Sequence, residues 1–131
     1  DRAIALPATQ RAVEVFRERA ERRVPLIHYA KGSAHLHGLI RTLDIDAVSL
    51  DWRDDLRANR TAHGDRFAFQ GNLDPSRMHG SPEAATAAAQ RVLDEAGDAP
   101  GHVFNLGHGF APGAKIDCVE AVLRLITGDS S

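Results

Sequence analysis

The sequence predicts an α/β fold, in which a leading helix is followed by four strand-helix units with parallel strands. Three observations predict it. Four short apolar runs recur, each closed by turn-forming residues; the segments between them carry apolar residues at helical spacing; and the runs are apolar on both faces, the mark of strands covered by helices. Four such strands make either a small open sheet or half of an eight-stranded barrel, whose usual length is about 250 residues. The 131 residues have the length of one ordinary domain, 1–131.

The leading helix is expected over 8–22, with Val13, Phe16 and Ala20 on its buried face and Glu18 and Arg22 paired four apart. The run PLIHY, 25–29, is the first strand, broken by Lys31, Gly32 and Ser33. Leu36, Leu39, Ile40 and Leu43 then repeat at helical spacing and predict a second helix. The run AVSL, 47–50, is the second strand and ends at Asp51 and Trp52; a weaker helix follows through residue 63. The run FAFQ, 67–70, is the third strand, delivering Gly71, Asn72, Leu73, Asp74 and Pro75 at its end.

The best-marked helix starts at Ser81, where a capping hydroxyl, Pro82 and Glu83 all suit a first turn. Its predicted stripe is Ala85, Ala88, Ala89, Val92, Leu93 and Ala96, closed by Gly97. The fourth strand is the start of GHVFNLGHG, 101–109. The last helix is expected to open with Asp117 and Glu120 as a capping box, to bury Val119, Val122, Leu123 and Ile126, and to stop at Gly128. Neither outer strand carries an edge-blocking device beyond Pro25 and His102, so the unit is expected to be incomplete or to pair with another copy.

Composition excludes several classes of function. A formal charge of −2 with scattered Lys and Arg argues against a nucleic-acid surface. No run is long and apolar enough to span a bilayer, and no signal pattern opens the chain. The lone Cys118 permits no internal disulfide, which fits a reducing cytosol. The chain begins with Asp1 rather than methionine, so a processed, trimmed or partial chain is expected.

Polar residues gather after the strands: Lys31, Asp51, Asn72, Asp74, Asn105 and His108. In parallel α/β folds ligands sit at that end. Within GHVFNLGHG, glycines flank His108, so its imidazole is unshielded and can hydrogen-bond, carry charge or pass a proton; the alternative is a solvated turn.

Three blocks carry a resemblance to a known family: Leu50-Asp51-Trp52, the run Gln70-Gly71-Asn72-Leu73-Asp74-Pro75, and Asn105-Leu106-Gly107-His108-Gly109, with Lys31-Gly32 and His35-Leu36 as a looser fourth. In that order and spacing the chain resembles the C-terminal half of uroporphyrinogen decarboxylases, which are (βα)8 TIM-type barrels. The resemblance implies a cofactor-free carboxy-lyase of porphyrin and haem biosynthesis. Such an enzyme decarboxylates the four acetate side chains of uroporphyrinogen III to coproporphyrinogen III, and is cytoplasmic and homodimeric. It also implies that the family's catalytic aspartate, arginines and tyrosine lie in an N-terminal half outside this chain. Only the family's histidine has a counterpart here, His108, expected to contact a substrate carboxylate. The chain alone is expected to be inactive and to need the missing half or a second chain.

Asp51 and Asp74 match other family positions and read as loop-fixing residues, as does Asn72, since Asx side chains bond nearby backbone. Trp52 reads as packing at the rim. Two rival readings use the same residues. A zinc site, as in related thiol methyltransferases, would draw on His28, His35, His37, His102, His108 and Cys118, but no ligand spacing supports it. A phosphate site at Gly107, Gly109 and Gly113 departs from the dinucleotide pattern. A third reading, from another class, is a non-catalytic half-barrel that serves as a binding or assembly module.

Overall fold

Each of the four apolar runs contributes a strand, and the strands pair in sequence order. The computed structural model describes residues 2–32 and 34–128, with residues 2–4 and 34 described by backbone alone. Strands β1 (Ile27–Tyr29), β2 (Ala47–Ser49), β3 (Ala68–Gln70) and β4 (His102–Val103) form one sheet of order β1-β2-β3-β4, parallel throughout. Helices α1 (Arg2–Arg19), α2 (His37–Ile40), α3 (Leu56–His63), α4 (Pro82–Ala96) and α5 (Ile116–Thr127) complete the α/β pattern, with 3₁₀ turns at Ala34–Leu36 and Pro75–His79. The result is an unclosed half of a (βα)8 barrel, with β1 and β4 each paired on one side only.

Register decides which side chains share a face. His28, Val48, Phe69 and His102 form a row on the helix-covered side. There Val48 and Phe69 are buried with Leu43, Ile45, Leu56, Ala85, Ala89 and Val122 in one core. Tyr29, Ser49, Gln70 and Val103 form the adjacent row, pointing the other way with Ile27, Ala47 and Ala68 two residues before. Among the described residues no helix covers this second face: Ile27, Tyr29 and Val103 are 49%, 42% and 48% exposed. It corresponds to the inside of a barrel.

Local chemistry sets the helix ends. Asp55 caps α3 by accepting from the Ala58 N–H at 2.8 Å, and Ser81 caps α4 by accepting from that of Ala84 at 3.3 Å, with Pro82 in the first turn. Five of the six residues predicted for the α4 stripe are buried, and Leu93 is half-buried.

Four expectations are corrected. Helix α1 runs Arg2–Arg19 through Pro7 rather than 8–22. Its C-terminal part turns back early because Arg17 bonds the Val24 carbonyl and the Asp46 carboxylate, each at 2.6 Å. Glu18 lies 4.0 Å from Arg11 instead of pairing with Arg22, and Phe16 is exposed while Leu6 and Val13 pack on the core. The second helix shrinks to the single turn α2, because the Thr42 and Leu43 N–H groups reach back only three residues, to Leu39 and Ile40. Ile40 and Leu43 are buried as expected, but Leu39 is exposed.

The third correction concerns α5, which starts at Ile116 with Lys115, not Asp117, in the cap position. The Lys115 N–H bonds the Met78 carbonyl at 2.7 Å and its ammonium the Gly80 carbonyl at 2.8 Å, which fixes the start there. The buried stripe is therefore Cys118 and Val122, with Val119 and Leu125 partly covered, and Leu123 and Ile126 face solvent. Fourth, β4 has two residues, although its ladder continues: Leu73 and Leu106 form a further parallel bridge. Ser33, the last residue of the expected break after β1, lies outside the described residues.

Candidate functional site at the carboxyl ends of the strands

The bare face ends in an open basin of about 370 Å³ lined by Ile27, Tyr29, Ser49, Gln70, Asn105, Leu106, His108 and Gly109. Strand alternation puts Tyr29, Ser49 and Gln70 side by side there, and the Gln70 Nε2 donates to the Ser49 Oγ at 3.2 Å. His108 stands exposed at the rim, its ring edge-on to that of Tyr29 with centroids 6.4 Å apart. Among the described residues no acidic side chain lines this basin.

The loop carrying His108 is tied down mainly through its backbone. The Leu73 N–H donates to the Asn105 carbonyl at 3.0 Å, the Gly107 N–H to the Leu73 carbonyl at 2.9 Å, and the Tyr29 hydroxyl to the Gly107 carbonyl at 3.4 Å. Gly107 is required by close approach: a Cβ there would overlap the Trp52 backbone nitrogen and Cα. Gly109 has open space instead. The two glycines thus do different work, one permitting contact and the other only flanking.

The six polar residues expected on the rim divide into groups. His108 and Asn105 line the basin, with the Asn105 side-chain oxygen accepting from the Leu106 N–H at 2.8 Å. Lys31 is exposed and does not line it. Asp51 and Asn72 are buried behind the rim. The Asp51 carboxylate lies well below the usual carboxylate range, chiefly because of the Arg53 guanidinium, with help from the N–H groups of Arg53 and Gly32. Asn72 donates to the carbonyls of Asp51 and Asp54, at 3.0 and 2.7 Å, rather than closing a turn on its own backbone. Asp74 does close such a turn, accepting from the Ser76 N–H at 2.9 Å. The Trp52 ring is partly exposed beneath the Arg53 guanidinium, 5.5 Å away, and it is the Trp52 backbone that packs against Gly107.

The remaining histidines are dispersed. The His102 Nε2 donates to the Gly71 carbonyl at 2.6 Å and His37 bonds Asn59 at 2.6 Å, while burial lowers the pKa of both His28 and His102. Among the described residues no three His, Cys, Asp or Glu side chains gather as a metal site, and Cys118 is buried in the core. Sequence reasoning missed Tyr29, Ser49 and Gln70. The available signal was alternation: each sits two residues after an apolar residue of the same strand, so each shares its inward face.

Comparison with known proteins bears on this geometry. The family model described as Uroporphyrinogen decarboxylase (URO-D) matches residues 2–128. A protein of Azoarcus sp. named uroporphyrinogen decarboxylase is 48% identical over 111 residues, 84% of this chain and 31% of that relative. Proteins of the same name from Aromatoleum aromaticum and Coxiella burnetii are 44% identical over 126 residues and 41% over 118; these cover 95% and 90% of this chain, and 35% and 33% of the relatives. The chain spans about a third of the length of the curated relatives it matches.

Proposed function

The chain belongs to the uroporphyrinogen decarboxylase family, and on that premise we propose that the complete protein decarboxylates the four acetate side chains of uroporphyrinogen III to give coproporphyrinogen III. This chain supplies the C-terminal half of the barrel. The reaction protonates a pyrrole ring so that it becomes an electron sink. The acetate carboxylate then leaves as carbon dioxide, the side-chain carbon left behind is protonated to a methyl group, and the ring gives up its added proton to become a pyrrole again. Such chemistry demands placed protons and placed charge, with no cofactor.

The observation that carries the reading is the basin at the strand ends. Among the described residues its lining is one imidazole and several neutral hydrogen-bonding groups without a carboxylate, which suits a substrate rich in carboxylates. His108 is the residue we assign to the substrate, as a donor to one carboxylate arm. Tyr29, Ser49 and Gln70 form the floor beneath it. The protein half that completes the barrel brings the remaining catalytic groups. Its docking is supported by the single-sided pairing of β1 and β4 and by the apolar residues left exposed on the outer helices, Phe16 on α1 and Leu123 on α5. On the same reading the complete enzyme is a cytoplasmic homodimer.

The test joins this chain to the N-terminal portion of the Azoarcus relative, or co-expresses the two, and follows uroporphyrinogen by chromatography of the oxidised porphyrins. Stepwise loss of carboxylates by the complete barrel, and none by the chain alone, is the expected result. A complete, folded barrel that leaves uroporphyrinogen intact overturns the reading.

A further inference from the structure

The turn after β2 touches all three neighbouring loops of the rim. Asp51 is fully buried, and its carboxylate accepts from the Gly32 N–H in the loop after β1 at 3.2 Å. The same carboxylate takes the Arg53 backbone N–H at 3.1 Å, its Nε at 2.9 Å and its Nη2 at 2.8 Å, so that two guanidinium nitrogens grip two oxygens. The Asp51 carbonyl accepts from Asn72, which arrives from the end of β3. The next residue, Trp52, presents its backbone to Gly107 in the loop after β4, closely enough that no side chain fits at 107.

We propose that Asp51 and Arg53 are a positioning pair for His108: by locking the turn after β2 they set the Trp52 backbone as the stop against which the Gly107-His108 loop rests. The chain of contact is short. Asp51 precedes Trp52, Trp52 meets Gly107, and Gly107 precedes His108. Flanked by two glycines, the His108 backbone has little conformational restraint of its own, so its place is set from outside, by this stop together with the Gly107 N–H bond to the Leu73 carbonyl and the Tyr29 hydroxyl bond to the Gly107 carbonyl. Arg53 is half exposed and does not line the basin, so it acts on the imidazole through the turn it holds, by way of Asp51 and of the Trp52 ring beneath its guanidinium. A displacement of about 1 Å in a catalytic group can cost about a hundredfold in rate, which is the scale on which such a stop acts.

For turnover, this inference rests on the decarboxylase reading; for geometry it does not. The experiment therefore uses two readouts on the complete barrel with isotope-labelled histidine: the ring resonances of His108 and the decarboxylation rate. The variants are Arg53→Gln, Asp51→Asn and Arg53→Lys. In Arg53→Gln the His108 resonances are expected to broaden or split while those of His63, beside Arg41 at the far end of α3, stay in place, and kcat to fall about tenfold or more. Arg53→Lys restores part of both, since a point charge replaces the charge but not the two-nitrogen grip. If Asp51→Asn does not fold, Arg53→Gln decides alone. Unmoved His108 resonances in a folded Arg53→Gln variant overturn the inference, as do moved resonances with wild-type kcat. Moved resonances in a barrel whose parent never consumes uroporphyrinogen leave the positioning intact and remove the decarboxylase reading.

Discussion

The two faces of the sheet have the same strands and opposite surroundings. On one, Val48 and Phe69 are almost wholly buried beneath helices; on the other, Ile27, Tyr29 and Val103 stand nearly half open. Parallel sheets normally have both faces covered. The covered face explains how the chain folds, whereas the bare face, with His108 at its rim, carries the candidate site. The core and the candidate site are thus separated by a single step of side-chain alternation along each strand.

The largest expected effect breaks or upholds that separation directly. Phe69→Ala removes a ring that is 1% exposed and should destabilise the protein by about 3–5 kcal/mol, measured by denaturant titration. Val103→Ala, from the opposite face, should stay within about 0.5 kcal/mol in the chain alone. It should become clearly destabilising, by about 1 kcal/mol or more, once the second half of the barrel is present. Equal costs in both settings would mean that the bare face is not a barrel interior.

Next comes the rim. His108→Ala should lower turnover of the complete enzyme by about ten- to a hundredfold, the scale of one hydrogen bond to a charged group, while leaving the melting curve in place. Unchanged kinetics would return His108 to the status of a solvated turn. Gly107→Ala sharpens the contrast within one loop: the added methyl meets the Trp52 backbone and should destabilise by about 1–3 kcal/mol, whereas Gly109→Ala has open space and should be near neutral in a thermal melt.

How much of this was legible depends on what each signal encodes. The strands were found because short apolar runs bounded by Gly, Pro and Asx residues report backbone breaks, which are local. The α4 stripe was found because that helix packs between α3 and α5, so its periodicity and its burial agree. Helix α5 is apolar enough all round that periodicity alone could not choose the stripe; the choice is made by Lys115 reaching to Met78 and Gly80, contacts distant in sequence. His108 was visible as an exposed imidazole between glycines. Asp51 was visible only as a loop residue, because its reach to Gly32 and its hold on the neighbour of Gly107 exist only once all four strands have been set side by side.

The smallest effect concerns how the covered face is held at its open edge, where α1 lies beside β1. Asp46 is the anchor: the Leu26 N–H, then the Arg17 and Arg23 guanidiniums, hold its carboxyl down to about 2, against an ordinary aspartate value of about 3.9. A depressed folded-state pKa means that the unfolded chain takes up the proton first. The stabilisation is therefore complete above about pH 4 and is lost as pH falls toward about 2. Because Asp46 is partly exposed, solvent screening trims the contribution to about 1 kcal/mol. Asp46→Asn should accordingly flatten the acid limb of a plot of stability against pH while leaving turnover at neutral pH near wild type. The covered face would then loosen at its edge with the rim undisturbed. A loss of turnover as large as that of His108→Ala would instead mean that α1 helps to hold the rim, and that the two faces are not separable after all.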